Sequence, residues 1–486
     1  MSSGTSLPPQ MPGDEDTHNQ RKALARLADF VIQRHMASPA IFMLESVKPL
    51  SFIGGQALIF FEPILEAFCT PGDYRLIAEG LQDRDNIEWL IQRLEAGEEA
   101  RGRKATTDAN RSTGSEAPSE SANDAAPSRG INTRKDTGQM TPRERWLALL
   151  NRQDYDRVPL TYRATTEFTE KLLAFMGLDT FDQARERLHI EPVVTVSPRY
   201  VGPPLEADKD VYGIGYQYTD YGDGKYHDAV YHPLAQYDSV EEIEDNYQWP
   251  DLDWWDYSGI PDQIVGKEDC IIRGGDYEEF AAFKFLRGVT RGYMDLVEKP
   301  EIVHYCMGKL TDLKYENAAR IYEQIPGKVI WTWVAEDFGT QDGLLISLEH
   351  IREFCVPYMK RMTDLVHDAG AFAFHHSDGA VSENLPQMIE IGVDVLEPIQ
   401  WRCTGMAREK LKARFGDDLV FMGAMDNQQT LAFGSIEDVK QEVRDNIRIL
   451  GEGGGYMLGA CHNIQVVSPP ENIVAMYDVA YECGWM

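Results

Sequence analysis

FHHSDGAVSENLPQMIEIGVDVLEPIQ, from Phe374 to Gln400, decides the fold. An apolar run ends in two histidines and an aspartate, a helical stretch follows, and a second apolar run ends in glutamate and glutamine. Strand, polar tip, helix, strand, polar tip is the repeat of a parallel α/β barrel. Such barrels keep their chemistry at the C-terminal ends of the strands. His376, Asp378, Glu397 and Gln400 stand at two such ends.

Working outward, eight strands are predicted: Val158–Tyr162, Val193–Val196, Cys270–Arg273, Val329–Val334, Ala371–His375, Val393–Pro398, Leu419–Gly423 and Tyr456–Gly459. Eight β/α units in about 350 residues match a TIM (β/α)8 barrel with insertions. The barrel is expected to span residues 140–486 and to open on the helix of TPRERWLALLNR. There Thr141 is the N-cap, Pro142 the first helical residue and Glu144 completes a capping box. The insertion VYGIGYQYTDYGDGKYHDAVYHPL reads as a β-hairpin with Gly222-Asp223-Gly224 near its turn. With the following YQWPDLDWWDY it is expected to roof the barrel mouth, placing Tyr216, Tyr218 and Trp254 on the substrate.

Ahead of the barrel three parts are predicted. Residues 1–20 read as a disordered tail and residues 21–95 as a small helical domain of unassigned role. Residues 96–139, which have almost no large apolar side chain, read as a disordered linker. A net charge of −32 argues against a nucleic-acid partner and against anionic membrane surfaces. No run is long and apolar enough for a membrane span. Seven cysteines without C-x-x-C spacing, and no signal-peptide core, point to reduced thiols in a cytoplasm. Composition leaves the oligomeric state open.

The last five predicted strands all turn from apolar to polar at the same end. The fourth gives Glu336, Asp337 and Gln341; the fifth His375, His376 and Asp378; the sixth Glu397 and Gln400. The seventh gives Asp426, Asn427 and Gln428, and the eighth Cys461 and His462. Catalytic roles are expected for His376, Asp378, His462, Asp337 and Gln400, and substrate contacts for Gln341, Asp426 and Gln428. His376, Asp378 and His462, with Glu397 or Glu336 as a fourth ligand, form a nitrogen/oxygen set that zinc accepts. The alternative is a hydrogen-bonded His–Asp pair that only holds the mouth together. Asp378 and Asp426 could also serve as helix N-caps.

TPRERWLALLNRQDYDRVP, HSDG…LPQMIEIGVDVLEPIQ, LKARFGDDLVFMGAMDNQ and GGGYMLGACHNIQVVSPPENIVAMYDVAYECG occur in this order. Together they resemble the uroporphyrinogen decarboxylase (URO-D) superfamily, which includes methylcobalamin:coenzyme M methyltransferase-like enzymes. The resemblance covers residues 140–486 and implies a TIM barrel. Haem-pathway members carry an arginine-rich PVWxMRQAGR motif after the first strand; here RVPLTYRATTEFTEKL offers Arg163 alone. The methyltransferase branch binds zinc through H-x-C and a later cysteine; here those positions are His376-Ser377-Asp378 and His462. The resemblance thus implies a harder metal site and a substrate with an ether or amine methyl group.

Three functions follow. The first is a corrinoid-linked methyltransferase or demethylase acting on a small methylated substrate. Because no D-x-H-x-x-G motif is present, its corrinoid would arrive on a separate protein. The second is a metal-free decarboxylase of the uroporphyrinogen type. The third is a non-catalytic binding barrel.

Overall fold

The structure is a computed structural model. It describes residues 21–28, 77, 86, 89–91, 93, 139–220 and 225–485. The chain divides into two compact units, Met1–Asn132 and Thr133–Met486. In the first, every described residue is helical, and Ala23, Leu24, Leu27 and Ala28 bury one face of residues 21–28. The expectations for residues 1–20 and 96–138, and for most of 21–95, lie outside the described residues, as does the predicted turn at Gly222-Asp223-Gly224.

The second unit opens on α1 (Pro142–Leu150), whose capping box forms as the sequence predicts: Glu144 N donates to Thr141 Oγ1 and Thr141 N to Glu144 Oε2. After it come β1 (Val193–Val196), β2 (Arg199–Tyr200), β3 (Gly215–Asp220), β4 (Lys225–Tyr231), β5 (Trp255–Asp256) and β6 (Ile271–Tyr277). The remaining strands are β7 (Trp331–Val334), β8 (Phe372–His376), β9 (Val395–Glu397), β10 (Val420–Met425) and β11 (Tyr456–Ala460). Seven of the strands form one parallel sheet in the order β1-β6-β7-β8-β9-β10-β11, with helices in the later crossovers.

The predicted first strand, Val158–Tyr162, forms no regular ladder. It makes isolated parallel bridges, Leu160 to Leu458 and Ala164 to Ile464. Pro159 is the physical reason, since it has no N–H to donate. The segment still closes the ring. Leu458 N donates to Pro159 O and Thr161 N to Leu458 O, both at 2.9 Å, while Glu191 N donates to Leu160 O at 2.9 Å, just ahead of β1. The seven other predicted strands each overlap an observed one; β6 runs four residues further than expected.

Trp146 of α1 plugs the N-terminal end of the barrel. Its ring lies 5.9 Å from Phe374 and 6.5 Å from Trp331, within a cluster that includes Ile271, Val395, Val420 and Met457. An ion network ties this plug to the staves. Arg145 bonds Asp156 at 2.6 Å and Glu191 at 3.0 Å, and Arg157 reaches Glu191 at 2.9 Å. Asp156 also accepts from Met140 N at 3.0 Å.

Arg145 and Glu191 are only 3% and 1% exposed at the side chain, so losing either partner strands a buried charge. Arg145→Ala is expected to cost about 3–5 kcal/mol, read from the denaturant midpoint at unchanged slope. A loss below about 1 kcal/mol would show that the network is solvated and carries no weight.

Candidate active site

The β8–β9 register sets His376 directly opposite Glu397. Both are buried, and His376 Nδ1 donates to Glu397 Oε2. Arg163 Nη1 stands 3.5 Å from Glu397 Oε1 and 3.3 Å from His376 Nδ1. With Nδ1 committed, Nε2 is the nitrogen that faces the site. It lies 3.7 Å from Asp337 Oδ1 and 4.0 Å from Asp378 Oδ1. The Trp333 ring stacks on the imidazole, centroids 5.2 Å apart.

Two loops meet backbone to backbone to bring the aspartates together. Ala380 N donates to Thr340 O at 2.7 Å, and Asp378 N to Asp337 Oδ1 at 3.0 Å. Glycine is required on both sides. A Cβ at Gly339 would lie 2.3 Å from Asp378 O, and one at Gly379, where φ is +83°, would lie 2.4 Å from Thr340 O. Gln400 completes the clamp, accepting from Gly379 N at 2.7 Å and donating to Asp378 Oδ1 at 2.9 Å. His462 Nε2 is 3.6 Å from the other oxygen, Asp378 Oδ2.

The protonation pattern follows from burial and charge. Burial alone would lower the His376 pKa, but the charge and hydrogen bond of Glu397 and the charge of Asp378 outweigh it and raise it to about 9. Burial, with Asp337 and Glu397 nearby, raises Asp378 to about 6. Glu397 is itself buried, which would raise it, yet His376 and Arg163 hold it below the usual carboxylate range. Burial, then the charges of Arg163 and His376, lowers His462.

Five expected residues therefore converge with Glu397: His376, Asp378, His462, Asp337 and Gln400. The group of donor atoms that could hold an ion differs from the expected set. Asp337, His376 and Asp378 offer donor atoms all within 4.8 Å of one another. Glu397 sits behind the imidazole on Nδ1, which makes it an orienting partner instead of a ligand. Glu336 is turned away, accepting from Phe280 N and Ala281 N at the start of a helix, Glu279–Arg287. Asp426 behaves as a cap, bound by Arg402 at 2.6 Å and by Gln428 N at 3.0 Å. Gln341 accepts from Cys403 Sγ at 3.3 Å, and Gln428 is exposed. Cys461 donates to Ile399 O, and burial pushes its thiol well up.

The site opens into a cavity of about 620 Å³ whose wall includes His376, Asp337, Glu397 and His462. Tyr216, Tyr218 and Trp254 are not on that wall. Tyr216 donates to Asp210 at 3.1 Å, and Trp254 packs against Tyr200 and Gly202. The hairpin forms as expected, β3 against β4, but Tyr216 and Trp254 serve contacts away from that wall and Tyr218 is exposed. Sequence reasoning missed the other wall residues, above all Trp333, Arg273, Asp276 and Glu278. The signal for the last three was the polar tip of the third predicted strand, IIRGGDYEE.

A histidine whose pKa rises from 6.5 to about 9 on folding gives stability that is full below 6.5 and lost as pH rises through 9. In metal-free protein this contribution should fade between those limits. Glu397→Gln should drop the His376 pKa, by NMR titration, and abolish that part of the pH slope. An unchanged His376 titration in the variant would refute the role given to Glu397.

Residues 282–483 match the family model described as uroporphyrinogen decarboxylase (URO-D). The chain is 26% identical over 204 residues to the uroporphyrinogen decarboxylase of Anaeromyxobacter dehalogenans, covering 41% of this chain and 53% of that protein. It is 24% identical over 272 residues to the chloroplastic uroporphyrinogen decarboxylase 2 of Oryza sativa subsp. japonica, covering 52% and 63%. The chain thus spans less than two thirds of the length of either relative. Among solved structures, a methyltransferase from Methanosarcina mazei aligns with TM-score 0.52 at 18% identity, covering 71% of this chain and 99% of that one. At that identity the likeness is one of fold, and it agrees with the barrel described above. It is through residues 282–483 that the chain is similar to the uroporphyrinogen decarboxylase (URO-D) family.

Proposed function

We propose that this protein is a methyltransferase that demethylates a small methylated substrate and hands the methyl group to a corrinoid carried by a separate protein. The observation behind this reading is the convergence of Asp337, His376 and Asp378 while Glu397 occupies the far nitrogen of the imidazole. That is the arrangement by which a second carboxylate fixes the tautomer of a metal-ligating histidine. The separations of 3.7 and 4.0 Å need to close slightly to meet bonds of about 2.0–2.2 Å. The donor set of one imidazole and two carboxylates fits a divalent ion such as zinc.

A bound ion would supply Lewis acidity at the heteroatom that releases the methyl group. The chain's own residues do the rest. Gln400 and Gly379 hold Asp378 in place, and His462, neutral through its lowered pKa, faces the same space and can relay a proton to the heteroatom, which keeps the bonding pair when the methyl group leaves. Trp333 and Tyr162 wall the cavity beside His376 and exclude water.

Charge on the wall weighs against an octa-acidic porphyrinogen. Five carboxylates line the cavity, Glu191, Asp276, Glu278, Asp337 and Glu397, against three arginines, Arg163, Arg185 and Arg273. A metal-free decarboxylase is the second reading. It is favoured by His376, which keeps its proton up to about 9 and could protonate a carbanion. The named decarboxylases among the relatives support it as well.

Metal analysis of the full-length protein is expected to find a divalent ion that His376→Ala and Asp337→Asn both lose. Glu397→Gln should weaken binding about 10–100-fold. Because the proton on Nε2 competes, affinity should fall about tenfold per pH unit below pH 9. Activity that survives chelation, with His376 still required, would favour the decarboxylase.

A further inference from the structure

Of the three arginines on the cavity wall, two have carboxylate partners. Arg163 lies 3.5 Å from Glu397, and Arg185 lies 3.2 Å from Asp182. Arg273 makes no ion pair with a carboxylate among the described residues, although the charges of Asp276, Glu397 and Glu278 reach it, and its Nε is buried without a hydrogen-bond partner. Ring faces hold its guanidinium instead, with Cζ 5.0 Å from the centroids of both Trp331 and Trp333. Stacking fixes the plane of the group but satisfies none of its N–H donors. A planar fork with unused donors, in a cavity, is the shape that a carboxylate fits in a bidentate manner.

Its position relative to the reaction centre is fixed by the sheet. Arg273 on β6 is in register with Trp331 on β7. Trp333, two residues further along β7, carries Arg273 on one side and stacks on His376 at 5.2 Å on the other. Arg273 and His376 are therefore separated by a single indole along the wall. The cavity volume, about 620 Å³, suits one small ligand. Tyr162, Phe181, Trp331 and Trp333 make the wall largely aromatic, which suits a flat body.

We propose that Arg273 docks the carboxylate of the substrate, so that the site takes a small, flat carboxylate whose reacting group lies at Asp337, His376 and Asp378. The proposal rests on that cluster being the reaction centre. It gives the site a direction: the anion is held at the β6–β7 side, across the Trp333 indole from His376.

Benzoate and its neutral isostere benzamide separate charge from shape. Full-length protein is titrated with each, by calorimetry and tryptophan fluorescence, as purified and after chelation. Benzoate is expected to bind at least about tenfold more tightly, the effect of hydrogen bonds to a charged group. Arg273→Met should erase that preference and leave benzamide unchanged; Arg273→Lys, which keeps the charge but loses the fork, should retain part of it. If Arg273→Met fails to fold, the Lys variant decides, and an undiminished preference there overturns the proposal. Equal affinity for the two probes, or no binding of either, also overturns it. A preference that vanishes on chelation would mean that the carboxylate sits on the metal; the proposal then falls while the metal-centred reading stands. A preference that survives chelation and needs Arg273, in protein that proves to bind no metal, upholds the proposal and removes that reading.

Discussion

The β8–β9 register is the constraint on which the site depends. It puts His376 and Glu397 opposite each other, both facing into the barrel. Side chains alternate along a strand, so a slip of either strand by one residue would turn its member of the pair away. The same alternation explains the adjacent histidines. His375 is buried facing the other way, its Nδ1 2.8 Å from Val334 O, and burial lowers its pKa to about 4. Two neighbouring imidazoles thus differ in charge at neutral pH because one meets a carboxylate and the other only a carbonyl.

From this pair the rest of the centre follows by contact. Glu397 stays ionised despite burial because His376 and Arg163 face it, and its charge in turn keeps His376 protonated in the absence of another acceptor. Asp337 and Asp378 are then drawn beside Nε2, where burial first, and the crowding of carboxylates second, raise the Asp378 pKa. The backbone contact at Gly339 and Gly379 holds the loops together against that repulsion. A third positive group at this point, either a proton or a metal ion, relieves it.

The barrel was legible because parallel strands buried on both faces read as apolar runs, each ending in a polar tip. The first stave was legible as a strand but not as a broken one, although Pro159 carried the signal. The choice between Glu336 and Asp337 was not legible. They are neighbours at one strand end, and only the fold shows that Glu336 turns to cap helix amides while Asp337 faces His376. Tyr216 and Trp254 misled because an aromatic insertion looks alike whether it covers a mouth or packs against its own flanks. Asp276 and Glu278 went unread because their strand runs on to Tyr277, past the glycines that follow its predicted end at Arg273.

The two ends of the barrel use charge in opposite ways. At the floor, Arg145, Arg157, Asp156 and Glu191 neutralise one another completely enough to be buried beside the Trp146 plug. At the other end the accounts do not balance. Acidic groups crowd around His376, while Arg273, one indole away, makes no ion pair among the described residues. A folded core tolerates unpaired charge only where something else completes it. The net charge of −32 says nothing against an anionic ligand here, because Debye screening at physiological salt, about 8 Å, confines what the cavity senses to its own walls. The imbalance between the two ends of that cavity is therefore the physical ground for assigning it a ligand with two unlike ends.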